Sequence, residues 1–458
     1  MKTRLFFSFF LFLLFFSCKK AQQYDLAITN VNIFDSVNKK VIENKTVLIN
    51  ADTISAIIPA GNEFTAIKVI DGKGKLVTPG FFDTHTHLGN VLGDYEKAPV
   101  TLRKDSINSY KQRIAETFIP YGVTTIKDVG QPEKWVVESV KWQKNPNCRF
   151  PDFFICGSAI ISDEERTPYM NHVEVKDPQD AAKKIEAYFK MGIRYLKLYS
   201  RLRTPEFKAA LKKANELNMN TCAHVEYNVP IDSAMTFGLK RFEHLLTLQS
   251  SVLNSNEDWY AYTTAYEKNY KKRSFIPPLF EAFRYIEEDS VLNARMIKLI
   301  DRMASEKIIL STTIHILASY INRSYFRTYI VTRQHTEEEP EMLTPEERKR
   351  FNEDYDIMMK YLKRMHDKGV KITMGTDCMD GGKAFLSEML LLKEAGFTTE
   401  DILQIATYNG AVSMGLENKS GSIQVGKKAN LVIFEKNPFE EYKNFLSPKI
   451  VIKDGKQY

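Results

Sequence analysis

Cysteine is scarce: five residues in 458, at Cys18, Cys148, Cys156, Cys222 and Cys378, with no CxxC spacing among them. A disulfide-stapled scaffold and a zinc ribbon are therefore excluded, and all but Cys18 are read as packing residues. An excess of one charge is lacking too. Against 57 Asp plus Glu stand 64 Lys plus Arg, and the resulting +7 is spread too thinly for a nucleic-acid footprint. What is present is 43% hydrophobic residues, enough to bury the core of one large or two ordinary domains.

The N-terminus stands apart. Lys2 and Arg4 precede an apolar run from Leu5 to Phe16, followed by Ser17, Cys18, Lys19 and Lys20. A basic start, a short apolar run and a small residue form the layout of an export signal, and the run is shorter than the roughly 20 apolar residues that span a bilayer. Residues 1–17 are read as a signal peptide outside the folded domain. Leu14-Phe15-Phe16-Ser17-Cys18 resembles a bacterial lipobox, with Phe15 where an aliphatic residue is usual. That resemblance implies a lipid on Cys18, and the two lysines after it suit an anchored tether. The other reading is an ordinary cleaved export signal with an incidental cysteine. Either way the mature chain leaves the cytoplasm, and the lipid would hold it to the bacterial cell envelope, in the periplasm or at the outer membrane.

From residue 24 to residue 79 short strands alternate with Asn, Asp, Gly and Lys turns, and the same texture returns over residues 416–458. The two ends are expected to form one β-sandwich. Between them, over residues 80–415, short apolar strands alternate with capped helices. Asp177-Pro178 opens one helix that ends at Gly192, Thr204-Pro205-Glu206 opens the next, and Thr344-Pro345-Glu346-Glu347 is a capping box. Eight strand candidates are expected, at 82–87, 124–129, 153–157, 195–199, 221–225, 241–245, 308–312 and 372–376, which suggests an α/β fold with a closed (β/α)8 barrel of the TIM type. The interval from His244 to Asp377 is 133 residues, and two βα steps fill less than half of it. Roughly 70 residues are thus insertion, placed around 250–306 and 317–366. Its aromatics, among them Trp259, Tyr262 and Tyr285, suggest a helical lid or wall over the mouth; a peripheral decoration or dimer surface fits equally, so a homo-oligomer stays open.

Phe82-Asp83-Thr84-His85-Thr86-His87 puts His85 and His87 at i and i+2 of a strand, so both imidazoles leave one face. Lys197, His224, His244 and Asp377 each lie at a further strand candidate. In a closed barrel, residues at several strand ends meet around one axis. Neutral imidazoles with a carboxylate suit zinc or a similar divalent ion. The remaining histidines, His172, His315, His335 and His366, read as ordinary residues in helices or loops. Gly375 and the pair Gly381-Gly382 would let backbone approach the mouth and let that loop bend.

These motifs, with Gly122-Val123-Thr124-Thr125, Gly375-Thr376-Asp377, Ala406-Thr407-Tyr408-Asn409-Gly410-Ala411 and Gly421-Ser422-Ile423 through Asn430-Leu431-Val432, resemble the amidohydrolase superfamily, in its branch similar to imidazolonepropionase and metallo-dipeptidases. Asn430 departs from the Asp usual before that leucine. The resemblance implies that His85 and His87 bind the more buried metal, His224 and His244 the second, and that Asp377 binds the first while managing a proton. It also implies that Lys197 is carboxylated, bridging two divalent ions, most simply zinc. A plain Lys197 amine would leave one ion.

The expected activity is hydrolysis of an amide-type C–N bond in a small substrate, such as a dipeptide, an N-acyl amino acid or a cyclic amide, by a metal-bridging hydroxide with Asp377 shuttling the proton. Tyr199 and Tyr227 are candidate substrate contacts. A decarboxylase or isomerase on the same barrel is the rival within catalysis. A non-catalytic envelope lipoprotein that captures small molecules is the rival outside it.

Overall fold

The structure is a computed structural model, and it describes residues 23–88, 107–164, 171–269, 276–326, 344–377 and 381–458. The expected signal peptide and Cys18 lie outside these residues, as does His335. Five strands open the described chain: β1 (Gln23–Asp35), β2 (Lys40–Asn50), β3 (Thr53–Pro59), β4 (Thr65–Asp71) and β5 (Leu76–Pro79). Ten short ones follow: β6 (Phe81–Thr86), β7 (Val123–Asp128), β8 (Asp152–Ile155), β9 (Ala159–Ser162), β10 (His172–Val175), β11 (Tyr195–Leu198), β12 (Asn220–Ala223), β13 (Arg241–Glu243), β14 (Ile309–Ser311) and β15 (Lys371–Thr373). Then β16 (Leu431–Phe434), β17 (Lys449–Lys453) and β18 (Lys456–Gln457) close the chain.

Both chain ends enter one eight-stranded sheet, in the order β18-β17-β16-β5-β1-β2-β3, with β4 also on β1. Residues of β5 and β16 pair antiparallel, Val77 opposite Ile433 and Pro79 opposite Leu431. Alternation turns Leu26, Ile28, Val31, Ile33, Val47, Val77, Leu431 and Ile433 into one buried cluster of this sheet's own. On the barrel side, Asp152 accepts bonds from Lys428, Lys453 and Asn430. The side-chain oxygen of Asn430 in turn accepts from the amide of Asp454. Asn430 therefore joins the sheet to the barrel, far from the mouth.

The ten middle strands form a barrel of parallel staves. One run is β6-β7-β8 and the other β10-β9-β11-β12-β13-β14-β15. They close where the Thr84 amide donates to the Met374 carbonyl at 2.9 Å and the Thr376 amide to the His85 carbonyl at 3.1 Å. The third stave, expected to end at Gly157, breaks there at φ +76 and resumes as β9. A Cβ at Gly157 would lie 2.7 Å from the Tyr188 ring, so only glycine lets the stave turn against that helix. Beside it β10 pairs with β9, a strand with no counterpart among the eight expected.

The helices keep several sequence signals. Three lie between the first and fourth staves: α1 (Ile107–Phe118) comes before β7, α2 (Val136–Lys144) before β8, and α3 (Pro178–Met191) before β11. Asp177 caps α3 by accepting from the Gln179 and Asp180 amides, and Gly192 ends it at φ +107. α4 (Thr204–Glu216) has proline in its first turn but no side-chain cap; the Thr204 hydroxyl donates to the Asn228 carbonyl instead. Next come α5 (Ile231–Thr236), α6 (Gln249–Val252), α7 (Asn256–Asn269), α8 (Ile276–Glu288), α9 (Ser290–Ser305) and α10 (Ile314–Tyr320). α11 (Pro345–Lys368) starts on the capping box of Thr344 and Glu347. α12 (Gly381–Glu394), α13 (Thr399–Gln404) and α14 (Gly410–Met414) complete the set.

Two helices inside the expected insertion are the barrel's own: α9 leads into β14 and α11 into β15. The extra helix α8 is clamped on α11 by Arg284 to Asp354 at 2.5 Å and by Arg350 to Glu281 at 2.6 Å. Phe280 and Phe283 pack on Tyr355 and Tyr361, each pair with ring centres 6.0 Å apart. α8 is thereby fixed against α11.

Candidate metal centre

Six strand-end residues were expected to meet, and four do: three histidines around the Asp377 carboxylate. Asp377 Oδ1 lies 3.3 Å from His87 Nε2 and 3.5 Å from His85 Nε2, and Oδ2 lies 3.9 Å from His244 Nδ1. Among the described residues, His85, His244 and Asp377 each offer a ligand atom within 4.8 Å of the others. The His224 ring meets His244 edge-on with centres 4.5 Å apart, but its Nε2 turns to Glu226 at 3.0 Å. Lys197 is fully buried in the barrel, one stave from Cys222, and its charge is felt by His85, Glu243 and His244.

Tyr199 lies against this group, with its ring 5.1 Å from that of His224. Its other neighbour is His172, at 4.5 Å. His172 begins strand β10, so reading it as a helix or loop residue is corrected. Among the described residues, Tyr227 has a ring contact on the inserted helix α7. It is half-exposed and packs at a tilt on Trp259 of α7, with ring centres 4.7 Å apart.

His85 and His87 are each held by a contact on the nitrogen turned away from Asp377, and His244 by a contact on the nitrogen nearer to it. His85 Nδ1–H donates to Glu243 Oε2 at 2.7 Å, and Lys127 Nζ donates to Glu243 Oε1 at 3.3 Å. His87 Nδ1–H donates to the Gly130 carbonyl at 3.0 Å. His244 Nδ1 lies 2.7 Å from Thr313 Oγ1. Holding one imidazole nitrogen on a carboxylate or carbonyl presents the other as a ligand and fixes its direction.

The backbone beneath these rings is held by buried carboxyls. Asp83 accepts from the Thr376 hydroxyl at 2.6 Å and from the His85 and Thr376 amides at 3.2 Å. Asp128 accepts from the Leu88 amide at 2.9 Å and the Gly130 amide at 3.0 Å. Burial pushes both carboxyls up to about 7 against those bonds. Three non-glycine residues at the mouth have left-handed backbones: His244 at φ +67, Thr313 at φ +52 and Asp377 at φ +49. Such conformations cost about 1–3 kcal/mol each and persist where the surroundings over-determine them.

Charge is distributed as a cation site requires. Burial opposes ionising Asp377, but the charge and close approach of His85 foremost hold the carboxyl far below its usual range. Burial pulls His87 down to about 4 and His244 well below its usual value, leaving both rings neutral, the form that ligates. The buried Nε2 of His85 has no hydrogen-bond partner. A buried polar atom without a partner is costly, and a cation accepting its lone pair removes that cost. The residues present fit a divalent ion.

Glu243, Lys127, Thr313 and Asp83 were not singled out in the sequence. Asp83 carried a usable signal, because i, i+2 and i+4 of one strand place it on the face of His85 and His87. Glu243 carried none. Regular alternation sends it away from His244, and only the turned backbone at His244 brings both inward.

The sequence profile of the amidohydrolase family matches residues 76–458. Ochratoxinase of Aspergillus niger is 33% identical over 84 residues, which is 18% of this chain and 18% of its own length. Imidazolonepropionase of Geobacillus kaustophilus is 31% identical over 110 residues, covering 21% of this chain and 26% of that one. In sequence, therefore, the chain spans about a fifth to a quarter of these relatives. Solved structures align more fully. An Xaa-Pro dipeptidase with bound methionine in the active site has a TM-score of 0.65 at 19% identity, covering 94% of this chain and 99% of that one. Ochratoxinase gives 0.63 at 17%, over 94% and 95%. These likenesses establish a TIM-like barrel with an additional β domain, and with the profile match over most of its length the chain belongs to the amidohydrolase family.

Proposed function

We propose that this chain hydrolyses an amide-type C–N bond in a small substrate, a dipeptide, an N-acyl amino acid or a cyclic amide, with divalent metal held by His85, His87, Lys197, His224, His244 and Asp377. The observation that carries the reading is the buried Nε2 of His85, which faces Asp377 Oδ1 at 3.5 Å without a hydrogen bond while Nδ1 is fixed by Glu243. Membership in the amidohydrolase family supports it, as do the dipeptidase and ochratoxinase among the structural neighbours.

A divalent ion in this cup would acidify water and polarise the scissile carbonyl. Asp377, kept ionised chiefly by His85, accepts the proton of the attacking water and returns it to the leaving nitrogen. Carboxylation of Lys197 would turn a buried cation into an anion and fit the site for two ions, zinc being the simplest choice. Tyr199, packed on His224, is placed to touch substrate, and Tyr227, paired with Trp259, is the second candidate contact. We also read the protein as exported and lipid-anchored at Cys18, which the mass of the mature N-terminus decides: an unlipidated chain starting after residue 18 rejects the anchor.

The activity is tested with a panel of dipeptides, N-acyl amino acids, cyclic amides and lactones, each with zinc, cobalt or manganese. The expected outcome is turnover of amides that chelation abolishes and metal restores. Amide turnover indifferent to chelation rejects the mechanism.

A further inference from the structure

We propose that Glu388 is a positioning residue for His244, acting through the turn between β14 and α10 that presents the Thr313 hydroxyl. This inference rests on the metal-centre reading above. Glu388 lies in α12, fully buried, and both its oxygens are engaged on that turn: Oε2 accepts from the Thr312 hydroxyl at 2.5 Å and Oε1 from the His315 amide at 2.5 Å. The two donors flank Thr313. Thr313 has φ +52, a conformation that a β-branched side chain scarcely adopts unless held. Its hydroxyl reaches His244 Nδ1 at 2.7 Å, and His244 itself stands at φ +67.

A chain of contacts thus runs from α12 through the turn to the imidazole. The arrangement parallels its neighbours. Asp83 secures the segment bearing Asp377, and Asp128 secures the Gly130 carbonyl that turns His87. Glu388 completes the set for His244. Burial pushes its carboxyl up to about 8 despite the Thr312 and His315 bonds. A group so costly to bury needs a structural return, and the grip on a strained turn supplies one.

The test uses the full mature chain and cobalt(II) alone as probe, reading the dissociation constant by titration beside the thermal midpoint. Glu388→Gln, Thr312→Val and Thr313→Ala are each expected to weaken cobalt by about 10- to 100-fold, with Thr313→Ser staying within about threefold of the parent. Glu388→Gln combined with Thr313→Ala should be no weaker than the poorer single variant, because both break one chain of contacts. Thr312→Val keeps the question open to refutation should Glu388→Gln not fold. A lowered midpoint with unchanged cobalt affinity in Glu388→Gln or Thr312→Val overturns the proposal, as do penalties that multiply in the double variant. A parent chain that takes up no cobalt fails the metal reading and this proposal with it, whereas a binding parent with equally binding variants defeats this proposal alone.

Discussion

At the scale of single residues the candidate centre is governed by what holds each ring. Glu243 binds two positive or donor groups at once, His85 Nδ1 and Lys127 Nζ. Burial alone would raise its carboxyl, but Lys127, His85 and Lys197 together hold it well below the usual range. Glu243→Gln keeps the shape and removes the charge, leaving Lys127 buried without its counter-ion. Breaking a buried pair in this way costs about 3–5 kcal/mol, so the urea midpoint at neutral pH should fall sharply and His85 should lose its fixed orientation. A stability within about 0.5 kcal/mol of the parent would show that the triad does not carry the barrel interior. Sequence made His85, His87, His244 and Asp377 legible because strand alternation and barrel closure are regular rules. It could not reveal Glu243 or Thr313, whose roles depend on left-handed backbone at His244 and Thr313.

Among the elements, α12 fixes the geometry behind the mouth, and its glycines serve packing. Gly381 and Gly382 were expected to let a loop bend; instead they begin the helix. A Cβ on Gly381 would lie 2.0 Å from the Phe118 ring, and one on Gly382 would lie 2.5 Å from the Thr117 carbonyl oxygen. The helix therefore sits directly on the end of α1. Gly382→Ala must push α12 away from backbone that cannot yield, and overpacking of this kind costs about 1–3 kcal/mol. Denaturant unfolding measures it, and a parent-like midpoint would mean that the contact is not tight. Gly375 is a true close approach, since a Cβ there would meet the His85 Cβ at 2.6 Å. Helix caps at Asp177 and Thr344 were legible as local chemistry. The interrupted third stave and β10 were not, because β9 and β10 are four residues each and their pairing is set by distant chain.

Over the whole molecule, the chain begins and ends in one sheet while its middle closes the barrel, so the ligand-bearing strand ends come from stretches as far apart as residues 85 and 377. The barrel class was readable because eight short apolar segments recur between capped helices. Substrate identity was not, because neither the two tyrosines nor the helices α7 and α8 carry a motif. Among the described residues no helix is long and apolar enough to cross a membrane. The central claim is that buried histidines and Asp377 form a divalent metal centre. It is tested most directly by elemental analysis of the purified mature protein, paired with the variant Asp377→Asn. The account predicts about two zinc-like ions per chain in the parent, or one if Lys197 remains an amine, with loss of bound metal in Asp377→Asn. A parent chain that folds fully and retains no divalent ion, even after dialysis against zinc, would contradict it.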